Sequence, residues 1–221
     1  LRTVFILLVL GLGQSSLAEK STRTEYYSIS GTTGIELLNE MSAKGPQGYS
    51  GYTRHEYSYD YGTRMINGRC RVSRMSMDMD ITYTMPRWEN ESSANTELQG
   101  RWNDWYRLLE QHEYGHSAFA ESGYNDILSE WRRIGGSDNC QDIRSQVEQV
   151  YNSIRARVNQ QNAEYDQLTN HGQSQGVSSE SLAGNEGMPS LPDFGIDSSS
   201  GNYWWLVFAV LIGLLFFVRK S

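Results

Sequence analysis

His112-Glu113-Tyr114-Gly115-His116 is the only place where two of the chain's four histidines fall within five residues of each other. It reads H-E-x-x-H. On an α-helix, positions i and i+4 lie one above the other on the same face, so both imidazoles can reach one cation. Two neutral imidazoles and a third protein ligand suit zinc, whose open fourth position carries a water that a nearby carboxylate can deprotonate. His112 and His116 are therefore candidate metal ligands, and Glu113 is the candidate base. The flanking sequence supplies the helix. From near Leu98, the residues Trp102, Trp105, Tyr106, Leu109, His112, His116, Phe119, Ala120, Ile127 and Trp131 recur at helical spacing, which puts the motif histidines on or beside a buried stripe.

Gly135-Gly136 stops this helix, and a second one begins after Cys140, with Ile143, Val147, Val150, Ile154, Val158 and Tyr165 on its apolar face. So short a connection makes the two helices an antiparallel hairpin. With the bend near Ser137 and a rise of about 1.5 Å per residue, His116 lies level with roughly residue 158 and His112 with roughly 162. The third metal ligand is then expected at the far end of the second helix, where Glu164, Asp166 and His171 stand. His171 is the first choice, because a turn at Gly172 can swing its imidazole back. Asp166 is the alternative third ligand, or else a partner that orients a ligand histidine. Tyr165 is expected either to donate a hydrogen bond to an oxyanion, as a catalytic residue, or to serve as a core tyrosine.

Upstream the period changes to two. Tyr26 to Ile29 reads as a short strand, Thr33 with Glu36 as a capping box opening a helix, and Gly45-Pro46-Gln47-Gly48 as a turn. Tyr49 to Tyr61 alternates, with Thr53, His55, Tyr57, Tyr59 and Tyr61 on one face, so His55 reads as a sheet residue. Asn67-Gly68 signals a hairpin into a strand from Arg69 to Met85. On that strand Met75, Met77, Met79, Ile81, Tyr83 and Met85 form a core face, and Pro86 is expected to end it. The expected fold is α+β, a small antiparallel sheet packed on a long antiparallel helix pair in the manner of zincins, with a transmembrane helix at the carboxy-terminal end.

The ends of the sequence point to export. Arg2 and the apolar run Val4 to Leu12, followed by Ser16-Leu17-Ala18, have the pattern of a signal peptide covering residues 1–18. In an oxidising compartment Cys70 and Cys140 are expected to form a disulfide. Asn90-Glu91-Ser92 matches a glycosylation sequon. After a domain at 19–176, residues 177–202 read as a Ser/Gly-rich linker and 203–218 as a transmembrane helix about 24 Å long. Trp204-Trp205 and Arg219-Lys220 bracket that helix, leaving 219–221 as a cytoplasmic tail and the domain outside, periplasmic or extracellular. A net charge of −7 gives no reason to expect nucleic acid as a partner.

The stretch Tyr27-Ser28-Ile29-Ser30-Gly31-Thr32, Gly45-Pro46, Cys70, Met85-Pro86-Arg87-Trp88, Trp102, the H-E-x-x-H run, Cys140 and Tyr165-Asp166-Gln167-Leu168-Thr169-Asn170-His171-Gly172 carry a resemblance. Over about residues 25 to 176 the chain resembles a bacterial family of otherwise uncharacterised proteins described as predicted secreted zinc-dependent proteases. The extended pattern H-E-x-x-H-x-x-G-x-x-H is absent, because Phe119 stands where its glycine would be. The combined expectation is a membrane-anchored, extracytoplasmic zinc peptidase acting on a peptide or protein of the cell envelope. The alternative is a noncatalytic envelope-binding module with a structural or vestigial metal. The sequence sets no oligomeric state.

Overall fold

In the computed structural model, residues 19–184 are described. The expected signal peptide (1–18), the expected span (203–218), the tail and residues 185–202 of the expected linker lie outside them. No helix among the described residues is long and apolar enough to cross a membrane.

The chain runs β1 (Lys20–Ile29), α1 (Gly34–Lys44), β2 (Tyr52–Ile66), β3 (Arg69–Trp88), α2 (Thr96–Arg133), α3 (Cys140–Thr169) and α4 (Ser179–Ala183), with single 3-10 turns between some of them. Thr33 caps α1, its side chain accepting from the Glu36 N–H, while the Glu36 carboxylate reaches back to the Thr32 N–H at 2.6 Å. Asn67 and Gly68 take positive φ, 51° and 76°, the mirror-image turn whose twist matches that of the flanking strands.

The sheet is mixed, which corrects the expected antiparallel one. Strand order is β1-β3-β2, with β2 antiparallel to β3 and β1 parallel to β3. The connection through α1 lets β2 run opposite to β1, and the hairpin then turns β3 back into the place between them. Inserted there, β3 has to run with β1. β3 also continues past Pro86 to Trp88. The Met79 and Glu89 N–H groups donate to carbonyls of the β1 side, so odd-numbered residues of β3 face β1. Pro86 is even-numbered. Its missing donor turns to the side where β2 has already ended, at the Tyr52 and Thr84 pair, so no ladder bond is lost.

Met77, Met79, Ile81, Tyr83 and Met85 are buried against the helices, as the period of two requires. Two tyrosines tie α2 to the sheet: Tyr124 Oη donates to the Met77 carbonyl at 3.0 Å and Tyr83 Oη to Ser117 Oγ at 2.7 Å. Trp131 Nε1 donates to the Val147 carbonyl at 3.0 Å and so joins α2 to α3. Asn90 of the sequon is engaged within the fold, its amide nitrogen donating to Gly31 O at 3.2 Å and its oxygen accepting from the Trp88 indole at 3.0 Å.

The ordered domain extends beyond the boundary expected at Gly176. Ser178 caps α4, and Val177, Leu182 and Ala183 are buried. Their apolar side chains pack with α1 and α2, which a linker reading based on Ser and Gly content overlooks.

Cys70 and Cys140 form a disulfide with Cα atoms 5.1 Å apart, joining the start of β3 to the start of α3. Cys70 also pairs its backbone with Ser137. The disulfide suggests an extracytoplasmic location. It closes a loop with a sequence separation of 70, which in the chain-entropy description stabilises the fold by about 4 kcal/mol. The double variant Cys70→Ala/Cys140→Ala should lose about that much stability in urea unfolding at neutral pH while keeping its far-ultraviolet dichroism. A loss under 1 kcal/mol would show that the bridge is incidental.

Candidate metal centre

His112 and His116 stand one turn apart on the inner face of α2, 4% and 8% exposed. Asp166 reaches them from α3. Its Oδ1 is 3.3 Å from His112 Nε2 and 3.1 Å from His116 Nε2, and the two Nε2 atoms are 3.3 Å apart. Imidazole and carboxylate bonds to zinc of about 2.0–2.1 Å put neighbouring tetrahedral ligand atoms roughly 3.3–3.4 Å apart. The three atoms therefore already have ligand spacing, and together they could hold a metal ion.

The second nitrogen of each ring fixes the tautomer. His112 Nδ1 is 2.9 Å from Gln175 Oε1, and His116 Nδ1 is 2.7 Å from Asn162 Oδ1. Asn162 Nδ2 donates to the Val158 carbonyl at 2.9 Å, which decides which end of its amide faces the ring. An amide oxygen only accepts, so each Nδ1 carries the proton and each Nε2 presents a lone pair. Two lone pairs and a carboxylate oxygen at these distances repel unless a cation lies among them. Burial adds to this, since desolvation disfavours the charged form of His112 and holds its pKa below the ordinary value.

Glu113 follows His112 on α2 but turns toward β2. It is 4% exposed. Its Oε2 accepts from Thr53 Oγ1 at 2.6 Å. A Cβ on Gly51 would lie 2.6 Å from Glu113 Oε1, so only glycine leaves room there. Desolvation raises the Glu113 pKa above the usual carboxylate range, while the Thr53 hydrogen bond and the nearby His116 act against it. Gly115, in the middle of the motif, meets the same kind of constraint: a Cβ would come within 2.4 Å of the Tyr165 hydroxyl.

Tyr165 packs against both motif histidines. Its ring stacks on His112, centroids 5.0 Å apart and planes 14° from parallel, and sits edge-on to His116. Its hydroxyl exchanges hydrogen bonds with the Gln175 amide, at 3.0 Å from Nε2. Tyr165 is not part of the cleft lining. The ring belongs to the packing that holds both imidazoles.

His171, the first choice from sequence, is outside the group of three. Asn170, His171 and Gly172 form a left-handed turn with φ of 49°, 51° and 82°. This turn carries the chain back toward α2 and delivers Gln175 to His112. The His171 ring remains at the rim, tilted against Tyr49 with centroids 4.9 Å apart and Nδ1 3.5 Å from Asp166 Oδ1. Asp166, the alternative from sequence, is the one that meets both histidines. The partners that orient the histidines are Asn162 and Gln175, neither of which the sequence reading singled out. Asn162 had one signal, its place one turn before Asp166 on the same face of α3. Backbone levels alone put residue 158 opposite His116, one turn short of Asn162. Side chains lean toward the amino-terminal end of their own helix, so contacts across an antiparallel pair fall further along than backbone levels suggest.

The group opens into a cleft of about 930 Å³ between β2 and α3, floored by α2. Consecutive residues from Gln47 to Tyr57 border it, His55 among them.

These features define an α+β domain with a buried His/His/Asp group suited to a metal. The chain belongs to the family described as bacterial protein of unknown function (DUF922), whose profile matches residues 24–172. No curated protein and no solved structure matches the chain.

His112→Ala, His116→Ala and Asp166→Ala should each abolish stoichiometric zinc uptake in dialysis followed by elemental analysis, whereas His171→Ala should retain it. Asn162→Ala and Gln175→Ala should weaken it by about 10–100-fold. Full retention in Asp166→Ala would remove Asp166 from the ligand set.

Proposed function

We propose that the protein is a zinc-dependent peptidase of the cell envelope. The observation that carries this reading is the placement of Glu113. It is a buried carboxylate beside three converging ligand atoms, on the wall of an open cleft, hydrogen-bonded on one oxygen and with space kept for the other. His112, His116 and Asp166 would hold the ion, which when bound supplies Lewis acidity to a water and to a substrate carbonyl. Glu113 accepts the proton of the attacking water and returns it to the leaving amine. Thr53 holds Oε2 so that the carboxylate cannot rotate away, and Asn162, Gln175 and Tyr165 keep the imidazoles aimed.

A peptide is the fitting substrate class because β2 is an edge strand. Its other ladder is taken by β3, so its outer backbone groups border the cleft unpaired by any strand among the described residues. An extended peptide can add there, its carbonyl brought to the centre by main-chain hydrogen bonds. The disulfide and the sequence of the amino-terminal end support a location outside the cytoplasm, with the carboxy-terminal apolar segment as the anchor.

One observation favours a second reading, a binding module with a structural metal. His171 Nδ1 is 3.5 Å from Asp166 Oδ1, near enough to close the site as a fourth protein ligand after a small ring movement. Such a closed site would not hydrolyse anything.

Glu113→Gln separates the two. A peptidase keeps its zinc and loses hydrolysis of a random peptide pool, followed by mass spectrometry, by about 10²–10⁴-fold. Unchanged cleavage, or none in either protein, contradicts the proposal. Thr53→Val adds a pH test. It removes a hydrogen bond to the ionised carboxylate, so the Glu113 pKa rises further and the acidic limb of the rate profile moves to higher pH. An unmoved limb would mean that Glu113 is not the base.

A further inference from the structure

The two ends of the cleft differ in chemistry. Toward the start of α2 it is lined by Leu38, Trp105, Leu109 and Val177, an apolar end. In the other direction, along the same helices, it is lined by His55 of β2 and by Arg155 and Asn159 of α3. Arg54, also at the cleft, is paired with Glu56 at 3.2 Å. Arg155 has no ion pair or hydrogen-bonded partner among the described residues, and its side chain is exposed. Its neighbours on that wall are neutral or basic: Asn159, Asn162, Tyr151 and His55. The carboxylates of the cleft are Glu56, already paired, and Glu113 and Asp166 of the centre itself. In a chain of net charge −7, an unpaired cation facing a cavity is an arrangement that calls for an anion.

The distance suits a peptide. Arg155 lies seven residues before Asn162, so its backbone is about 10 Å along α3 from the residue that holds His116. His55 follows Thr53, the partner of Glu113, by two strand residues, or about 7 Å. Extended peptide advances about 3.3–3.6 Å per residue, so a group read by Arg155 belongs two or three residues from the bond at the centre. A guanidinium presents a planar fork of donors that matches a carboxylate.

We propose that Arg155, flanked by His55 and Asn159, is a specificity determinant that selects peptides carrying a carboxylate two or three residues to one side of the scissile bond. This rests on the peptidase reading above. The carboxylate could be an Asp or Glu side chain or the free end of a peptide, and the two share the same chemistry at Arg155. The opposite side of the bond meets the apolar end and carries no such requirement.

The test uses the full chain loaded with zinc and a pool of random octapeptides made both as free acids and as carboxy-terminal amides. Cleavage sites are read by mass spectrometry. In parallel the Glu113→Gln chain, immobilised, captures peptides from the same pool. Both experiments should enrich carboxylates on one side by at least tenfold, and Arg155→Glu should invert the preference toward Lys and Arg. Enrichment that survives amidation identifies acidic side chains; enrichment confined to free acids identifies the terminus. Cleavage or capture indifferent to charge, or a preference unchanged in Arg155→Glu, overturns the role of Arg155 and leaves the peptidase reading standing. Charge-selective capture without any cleavage overturns the peptidase reading and with it the claim that Arg155 sets cleavage specificity. Neither cleavage nor capture overturns both.

Discussion

Three lone-pair atoms held 3.1–3.3 Å apart in a buried place are the constraint on which this structure turns. Left to themselves they repel, and two of the three side chains are almost closed to water. The fold has to hold them together without a cation and reward one when it arrives. It does so by anchoring each imidazole from behind: Gln175 and Asn162 take the Nδ1 protons, and the Tyr165 ring packs on both histidines. A metal site of this kind couples binding to stability, since an ion that binds only the folded chain adds about 4 kcal/mol at a thousand times its dissociation constant.

The rest of the architecture can be read as support for that group. α2 supplies both histidines and Glu113 from a single rigid element, so the relative positions of their backbones are set by helical geometry. α3 supplies Asp166 and Asn162, and its register against α2 is pinned at the other end by the Trp131 and Val147 contact and by the disulfide at Cys140. β2 contributes Thr53 and the space at Gly51, which makes the sheet part of the site and not only its backing. The left-handed turn at Asn170 to Gly172 then folds the end of α3 back so that Gln175 reaches His112.

Much of this was legible in the sequence, for definite reasons. The H-E-x-x-H spacing and the apolar stripe around it are consequences of the 3.6-residue period, and the methionine face of β3 follows from the period of two. Helix pairing and the search for a third ligand near residues 164–171 followed from the short loop at Gly135 to Asn139. What was not legible depended on contacts between distant segments. The parallel pairing of β1 with β3 needs knowledge of which strand enters the middle of the sheet. Choosing between Asp166 and His171 needs the conformation of a three-residue turn, and although Asn and His are among the residues that visit left-handed φ, nothing local says that Asn170 and His171 do so in succession. Tyr165 reads as a hydroxyl donor or a core ring with equal ease, because its packing on Gly115 and on both imidazoles depends on how α2 pairs with α3. Val177 and Leu182 sit in a stretch whose composition resembles a linker, yet two or three apolar residues suffice to dock a short helix.

The most direct measurement of the central claim is the zinc K-edge X-ray absorption spectrum of the purified protein loaded with one equivalent of the ion. The expected result is a four-coordinate shell at about 2.0 Å, with the multiple-scattering signature of two imidazoles, oxygen in the remaining positions and no sulfur. A shell with three imidazoles would put His171 in the ligand set and contradict the His/His/Asp centre; failure to retain the ion would contradict a metal centre altogether.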